Sequence, residues 1–356
     1  MHHVCSIVPP YMLEALATQG DASQREAAVA TLAVDNTHRT RRAIAAASLV
    51  GTRHELPTLT GATPQPHRSV YDAHHTEQLP GSLVRAVGGA PVADGAVDRA
   101  YDGLGATFTF YRDVLDRDSI DGRGLPMLAS VHVGRRWDNA QWDGSQMQFG
   151  DGDGQIFGDF TASLDVIGHE LTHGVTQYEA QLAYHGQSGA LNESMSDVFG
   201  VMVKQHALGQ TADQADWLIG AELMLPGFHG TALRSMKAPG TAYDDPRLGG
   251  KDPQPATMAG YLHTLQDNGG VHLNSGIPNH AFYLVAVALG GHAWDVAGHI
   301  WYGALTDPAL RPTATFSVFA AATVRAARHG YGTAEVAAVT QAWRAVGVRV
   351  RGVPAT

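Results

Sequence analysis

His169-Glu170-Leu171-Thr172-His173 is the stretch whose reading decides the fold. Four residues apart on a helix, two histidines share one face with Cβ atoms ~5–6 Å apart, so their imidazoles can converge on a single ion. The flanks predict a helix over 164–178, with Asp165 near its start and Val166, Ile167, Leu171 and Val175 supplying apolar surface. Taken alone, the five residues also fit a surface helix carrying two solvated histidines.

A second segment narrows the choice. Gly189-Ala190-Leu191-Asn192-Glu193-Ser194-Met195-Ser196-Asp197 places Glu193 24 residues beyond His169, on a separate helix. His169, His173 and Glu193 then make a three-ligand set with one position left open, which is what a catalytic zinc requires. Asp197, one turn after Glu193, can accept a hydrogen bond from a ligand imidazole and fix its tautomer. Glu170 stands beside the ligands without being one. It is the expected general base for a water whose pKa zinc lowers towards ~7.

Working outward, the chain has 356 residues, 44% of them hydrophobic, with 24 Lys+Arg against 34 Asp+Glu for a formal charge of −10. That length can bury more than one core, and the apolar content excludes disorder. Cys5 is the one cysteine, which excludes an internal disulfide framework. The acidic balance argues against nucleic acid or an anionic membrane as partner. No run reaches the ~20 apolar residues of a membrane span. Pro9-Pro10 interrupts a start without a basic region, so it does not read as a signal peptide.

Residues 1–50 are Ala-rich and charge-neutral, with helical stretches expected over 25–34 and near 40–49. A Pro/Gly/Thr-rich linker, 51–68, follows. From 69 to about 160 the texture is β-like, clearest at 127–133, and interrupted by one helix around 97–114. From Ser163 onward helical patterns dominate. The expected class is α+β: a β-rich lobe with the zinc helix at 69–187, and a mainly α-helical lobe at 188–356.

Several further blocks stand in a recognisable order: Val70-Tyr71-Asp72-Ala73, Leu79-Pro80-Gly81, Asn139-Ala140-Gln141-Trp142, Gly150-Asp151-Gly152-Asp153-Gly154, Leu233-Arg234-Ser235-Met236, and Asp267 through Gly276. With the two zinc segments, they resemble the thermolysin family of zinc metallopeptidases over roughly residues 69–350. The likeness is greatest to its short-precursor, protealysin and griselysin-type branch. The resemblance implies a two-lobed fold with the active-site helix between the lobes, one catalytic Zn²⁺, and a neutral endopeptidase synthesised as a zymogen.

By the same resemblance Tyr184 and His272 stabilise the oxyanion, with Asp267 orienting His272; donors of that kind suit developing negative charge. Asn139 and the Ala140 backbone would pair with an extended peptide, Arg234 would hold a substrate carbonyl, and Phe157, Val166 and Leu233 would line the pocket after the scissile bond. Cleavage before large apolar residues follows. On residue type alone Tyr184, Phe157, Val166 and Leu233 fit ordinary core, and Asn139, Arg234 and His272 fit surface or loop.

The pattern also breaks. Larger family members carry a double calcium site behind the zinc. Here Lys204 and Leu218 stand where acids are expected, while Asp165 is kept. The calcium pair is therefore expected to be absent, with Lys204 pairing Asp165 or Asp216. Cys5 through Leu13 resembles the start of short family propeptides, so residues 1–50 are expected to act as an intramolecular inhibitor, with Leu49 and Val50 as self-cleavage sites. Cys5 could offer a thiolate to zinc or be a small apolar residue. The missing signal peptide fits cytoplasmic retention or a non-standard export path, while family usage implies secretion; a monomer acting on peptide and protein substrates is expected. Two other readings stay open: a zinc-bound peptide-binding protein without catalysis, and a zinc amidase for small substrates.

Overall fold

In the computed structural model, which describes residues 5–48 and 66–350, the chain opens with strand β1 (Cys5–Ser6) and helices α1 (Pro10–Gln19) and α2 (Ala22–Ser48). Pro10 suits the first turn of α1, where its missing N–H has no helical acceptor to lose. Asp21 caps α2, its Oδ1 accepting the Ser23 and Gln24 amides at 2.8 and 2.9 Å. The two helical stretches expected here form one continuous helix. No Gly or Pro interrupts residues 35–39, and Asp35 and His38 are buried. The expected linker falls largely on residues 51–65, outside the described residues, as do Leu49 and Val50.

The β-rich lobe follows with β2 (Arg68–Asp72), β3 (Ser82–Arg85), α3 (Gly95–Leu115), β4 (Met127–Val131), β5 (Ala140–Trp142) and β6 (Met147–Phe149). These strands form one sheet in the order β1-β5-β6-β4-β2-β3. The β2–β4 and β4–β6 pairs are parallel and the others antiparallel. The first strand of the chain thus occupies the edge beside β5, with Cys5 opposite Trp142 and Ser6 opposite Gln141. Without it, β5 would be the sheet's edge.

Helices α4 (Leu164–Tyr178) and α5 (Gly186–Leu208) form the centre of the molecule. Every residue of α4 from Asp165 to Thr176 is buried. The two helices cross closely because both lack a side chain at the crossing. A Cβ on Gly200 would stand 2.4 Å from the Asp165 carbonyl oxygen, and one on Gly168 would stand 3.0 Å from Gly200 Cα. This approach brings the acids of α5 against the histidines of α4.

Two short ribbons come next, β7 (Leu218–Ile219) with β8 (Arg234–Ser235) and β9 (Asp244–Asp245) with β10 (Gly250–Lys251). The helical lobe is completed by α6 (Asp267–Asn274), α7 (Gly276–Leu289), α8 (His299–Leu305), α9 (Phe316–Gly330) and α10 (Thr333–Ala345). Between α7 and α8 the chain makes a wide helical turn at Trp294–Gly298 that runs directly into α8. The architecture is the α+β, two-lobed one the sequence suggests. Among the described residues no helix is long and apolar enough to cross a membrane.

Candidate active site

The two imidazoles of α4 meet edge to face, with His173 Nε2 3.0 Å from His169 Nε2. Their other nitrogens settle the protonation. His169 Nδ1 lies 2.8 Å from Asp197 Oδ1, an ionised carboxylate that can only accept, so Nδ1 carries the proton. His173 Nδ1 lies 2.8 Å from Asn192 Oδ1, whose amide nitrogen is spent on the Leu182 carbonyl; this Nδ1 is also a donor. With both rings neutral, the two Nε2 atoms present lone pairs to each other.

Glu193 adds negative charge to the same point. Its Oε2 stands 3.6 Å from His169 Nε2 and its Oε1 3.5 Å from His173 Nε2. Oε2 is buried and has no hydrogen-bond partner among the described residues. Two lone pairs and a carboxylate turned inward are unfavourable unless a cation sits among them. Two nitrogens and an oxygen suit a borderline divalent ion such as zinc better than calcium.

Around this cluster Glu170 is held by its neighbour strand, its Oε2 accepting the Trp142 amide at 2.9 Å. His272 stands opposite. The sequence suggested a loop histidine; it lies instead in the helical turn of α6 after a left-handed run at Asn268, Gly269 and Gly270. Asp267 fixes it twice, accepting His272 Nδ1 at 2.6 Å and its backbone N–H at 2.8 Å. Burial opposes the charge on His272, but Glu193 and Asp267 outweigh it and push its pKa up to about 9. The Tyr184 hydroxyl bonds Glu193 Oε1 and lies 3.1 Å from His272 Nε2.

Comparison with known proteins accords with this geometry. A family described as thermolysin metallopeptidase, catalytic domain, matches residues 42–177, and its alpha-helical domain matches residues 180–348. The chain belongs to the thermolysin family of metallopeptidases. An "Extracellular metalloprotease" of Pectobacterium carotovorum subsp. carotovorum is 51% identical over 350 residues, covering 98% of this chain and 97% of the relative. "Thermolysin" of Bacillus sp. strain EA1 is 44% identical over 289 residues, 78% of this chain and 50% of that longer protein. The solved precursor of protealysin, a metalloproteinase from Serratia proteamaculans, superposes with a TM-score of 0.88 at 51% identity, covering 97% of this chain and 99% of that one.

In this thermolysin-family chain the N-terminal strand lies across the site. Ile7 N donates to the Ala140 carbonyl at 3.2 Å, and Ile7 O accepts from Arg234 Nη1 at 3.1 Å. Asn139 Oδ1 accepts Val8 N at 2.9 Å, and Asn139 Nδ2 approaches Val8 O at 3.4 Å. The Ser6 carbonyl faces His272 Nε2 at 3.2 Å. Ile7 is buried in one apolar cluster that also holds Phe157, Val166 and Leu233. The Cys5 side chain lies outside the described residues.

Behind the metal site Lys204 Nζ meets Glu222 at 2.7 Å, Asp165 at 3.2 Å and Asp216 at 3.3 Å. The sequence suggested one of the last two; Glu222 escaped it because the short 3-10 turn over 221–223 brings it back from distant sequence. Also missed were Asn192 and Asn279, the latter donating to Asp197 Oδ2 at 2.8 Å. Asn192 was legible in principle, as it directly precedes Glu193 on a helix. Asn279 had no local signal.

Proposed function

We propose that this metallopeptidase is a zinc endopeptidase made as a latent precursor, cleaving on the N-terminal side of large apolar residues. The observation that carries the reading is Ile7. Its amide, its carbonyl and the following Val8 backbone are held by Ala140, Arg234 and Asn139, the groups expected to hold a peptide substrate. The Ser6–Ile7 peptide unit then lies over the histidine cluster in the position of a bond to be cut, and Ile7 fills the place of the residue after it.

His169, His173 and Glu193 would hold the zinc, with Asp197 and Asn192 orienting the two imidazoles. Zinc bound there supplies Lewis acidity towards a carbonyl and water of lowered pKa. Glu170, fixed by the Trp142 amide, takes the proton of the attacking water and passes it to the leaving amine. Tyr184 and the cationic His272 donate to the oxygen on which negative charge develops, and Asp267 keeps His272 charged and aimed. Phe157, Val166 and Leu233 line the apolar pocket.

In this reading residues 1–50 are the propeptide, 51–68 the activation linker, and 69–187 and 188–356 the two catalytic lobes. The Lys204 ammonium takes the place of the double calcium site. The extracellular naming of the Pectobacterium relative supports secretion of the product, which in this reading acts as a monomer.

The test is hydrolysis of casein and of a peptide library by the processed enzyme and its Glu170→Ala variant, with and without a zinc chelator. Activity lost on chelation and in the variant, with cuts before Leu, Ile or Phe, is expected. Undiminished turnover by Glu170→Ala would remove the mechanism, and a preference for charged residues would remove the pocket assignment.

A further inference from the structure

Apart from the residues of this site, three chain segments of the β-rich lobe bring His75, His132 and Asp151 together. His132 follows β4, His75 lies in the turn after β2, and Asp151 lies in the glycine-rich turn after β6. Each of the three offers one ligand atom, and those atoms lie within 4.8 Å of one another. The two carboxylate oxygens of Asp151 are divided between the histidines, Oδ1 at 2.7 Å from His132 Nδ1 and Oδ2 at 3.1 Å from His75 Nδ1. The backbone binds the two histidine segments as well, His75 N donating to the His132 carbonyl at 2.8 Å.

We propose that His75 Nδ1, His132 Nδ1 and an Asp151 oxygen form a second divalent transition-metal site, with Asp94 as the positioning residue behind His132. Asp94 is itself anchored, because its Oδ1 caps α3 by accepting the Ala96 amide at 2.9 Å. Its Oδ2 lies 2.9 Å from His132 Nε2. When His132 keeps one proton, that carboxylate holds it on Nε2 and leaves Nδ1 as the lone pair facing His75 and Asp151. A ligand histidine backed by a carboxylate on its other nitrogen is the usual support of a metal site.

An ion pair alone explains less. A protonated His132 between Asp94 and Asp151 is already satisfied on both nitrogens, and it has no need of a second imidazole on the remaining Asp151 oxygen. Two imidazoles and one carboxylate select zinc, nickel, cobalt or copper over calcium and magnesium, which prefer all-oxygen shells. The His75 side chain is 56% exposed while that of His132 is 19% exposed, so the remaining coordination positions open to water. The ion would join the turn after β2 to the turn that leads into Phe157.

The experiment uses the full-length chain carrying Glu170→Ala, so that the precursor stays intact, dialysed to equilibrium against zinc and assayed for bound metal by elemental mass spectrometry. The parent is compared with the same chain bearing His75→Ala or His75→Gln. Each is expected to hold one equivalent less zinc than the parent, whatever the catalytic site holds. Asp94→Asn is expected to keep the equivalent at saturation but bind it ~10–100-fold more weakly, the usual effect of removing such a support. Nickel is expected to raise the melting temperature of the parent more than that of His75→Ala. Equal zinc content in parent and both His75 variants would overturn the proposal and leave the cluster an ion-pair network.

Discussion

Arg234 and Asp197 meet as two forks, Nε on Oδ2 and Nη2 on Oδ1, each at 2.9 Å, with both side chains buried. Asp197 also receives His169 Nδ1 on Oδ1 and Asn279 Nδ2 on Oδ2. Burial alone would raise its pKa, but Arg234 and then His169 outweigh it and hold Asp197 well below the usual carboxylate range. One carboxylate thus orients His169, the proposed metal ligand, and fixes the guanidinium whose Nη1 holds the Ile7 carbonyl. In the proposed mechanism, metal binding and peptide binding share this buried charge.

Arg234→Lys should therefore impair both sides of the site. A point ammonium cannot reproduce the fork and also reach the Ile7 carbonyl. Losing a hydrogen bond to a charged group costs ~1.5–3 kcal/mol, so kcat/KM should fall about 10–100-fold. Zinc affinity should fall as well, measured by competition with a chromogenic chelator. A variant with wild-type kcat/KM would show that Arg234 serves the fold alone.

Glu170→Gln keeps the shape of the side chain and one acceptor oxygen while removing the base. Turnover should drop by ~10²–10⁴, the usual worth of a positioned general base, with bound zinc unchanged. Zinc content and steady-state rates on the processed enzyme measure the two separately. Parallel loss of metal and activity would mean that Glu170 acts as a ligand.

With Lys204 proposed in place of the calcium pair, stability is expected to be independent of calcium. Lys204→Ala leaves Asp165, which is fully buried, without its ammonium, and breaking such a pair costs ~3–5 kcal/mol. Lys204→Glu adds a carboxylate beside Asp165, Asp216 and Glu222, so it should be destabilised without calcium and recover with it. The parent's melting temperature should not respond to millimolar calcium. Two tightly bound calcium ions at this place in the parent would contradict the substitution argument.

Acid sensitivity can be assigned at Asp245, whose carboxylate is buried at the turn on which α1 packs. Burial would raise its pKa, but Arg247, at 2.6 Å, and the His229 and Arg247 amides bring it down to about 2. A depressed carboxylate contributes stability that is present above its unfolded pKa of ~3.9 and lost as pH falls through the folded value. Between pH 4 and 2 the parent should lose about 2 kcal/mol that Asp245→Asn has already lost. Denaturant melts at both pH values check this; identical acid slopes for parent and variant would count against it.

What the sequence made legible divides along a physical line. His169, His173, Glu193 and Asp197 were readable because each pair is one helical turn apart, so spacing alone puts them on one face. The bounds of α4 were readable because its apolar pattern and the acidic residue in its first turn, Asp165, are local signals. Glu222 and Asn279 were not, since each reaches the site through tertiary contact with no periodic signal. The continuity of α2 was missed across polar residues 35–39, which separate its two Ala-rich halves. Asp35 there is in fact buried, accepting Trp137 Nε1 and Asn139 Nδ2 at 2.9 Å each.

Asp35 and Ile7 lead to a prediction about latency. Two of the contacts that hold the N-terminal segment are those of Ile7 and Val8 with Arg234 and Asn139, and that of Asp35 with Trp137 and Asn139. Ile7→Asp would put a carboxylate into a fully buried apolar position, whereas Asp35→Ala would leave Trp137 and Asn139 short of an acceptor. Supplied as a separate peptide, residues 1–48 should inhibit the processed enzyme. Ile7→Asp should weaken that inhibition by at least ~30-fold, taking the cost as at least ~2 kcal/mol. Asp35→Ala should weaken it by a smaller factor, because water can replace the lost acceptor once the helix loosens. In the full chain either change should speed the appearance of activity. Inhibition unaltered by Ile7→Asp would mean that the strand over the histidine cluster is not what blocks the cleft.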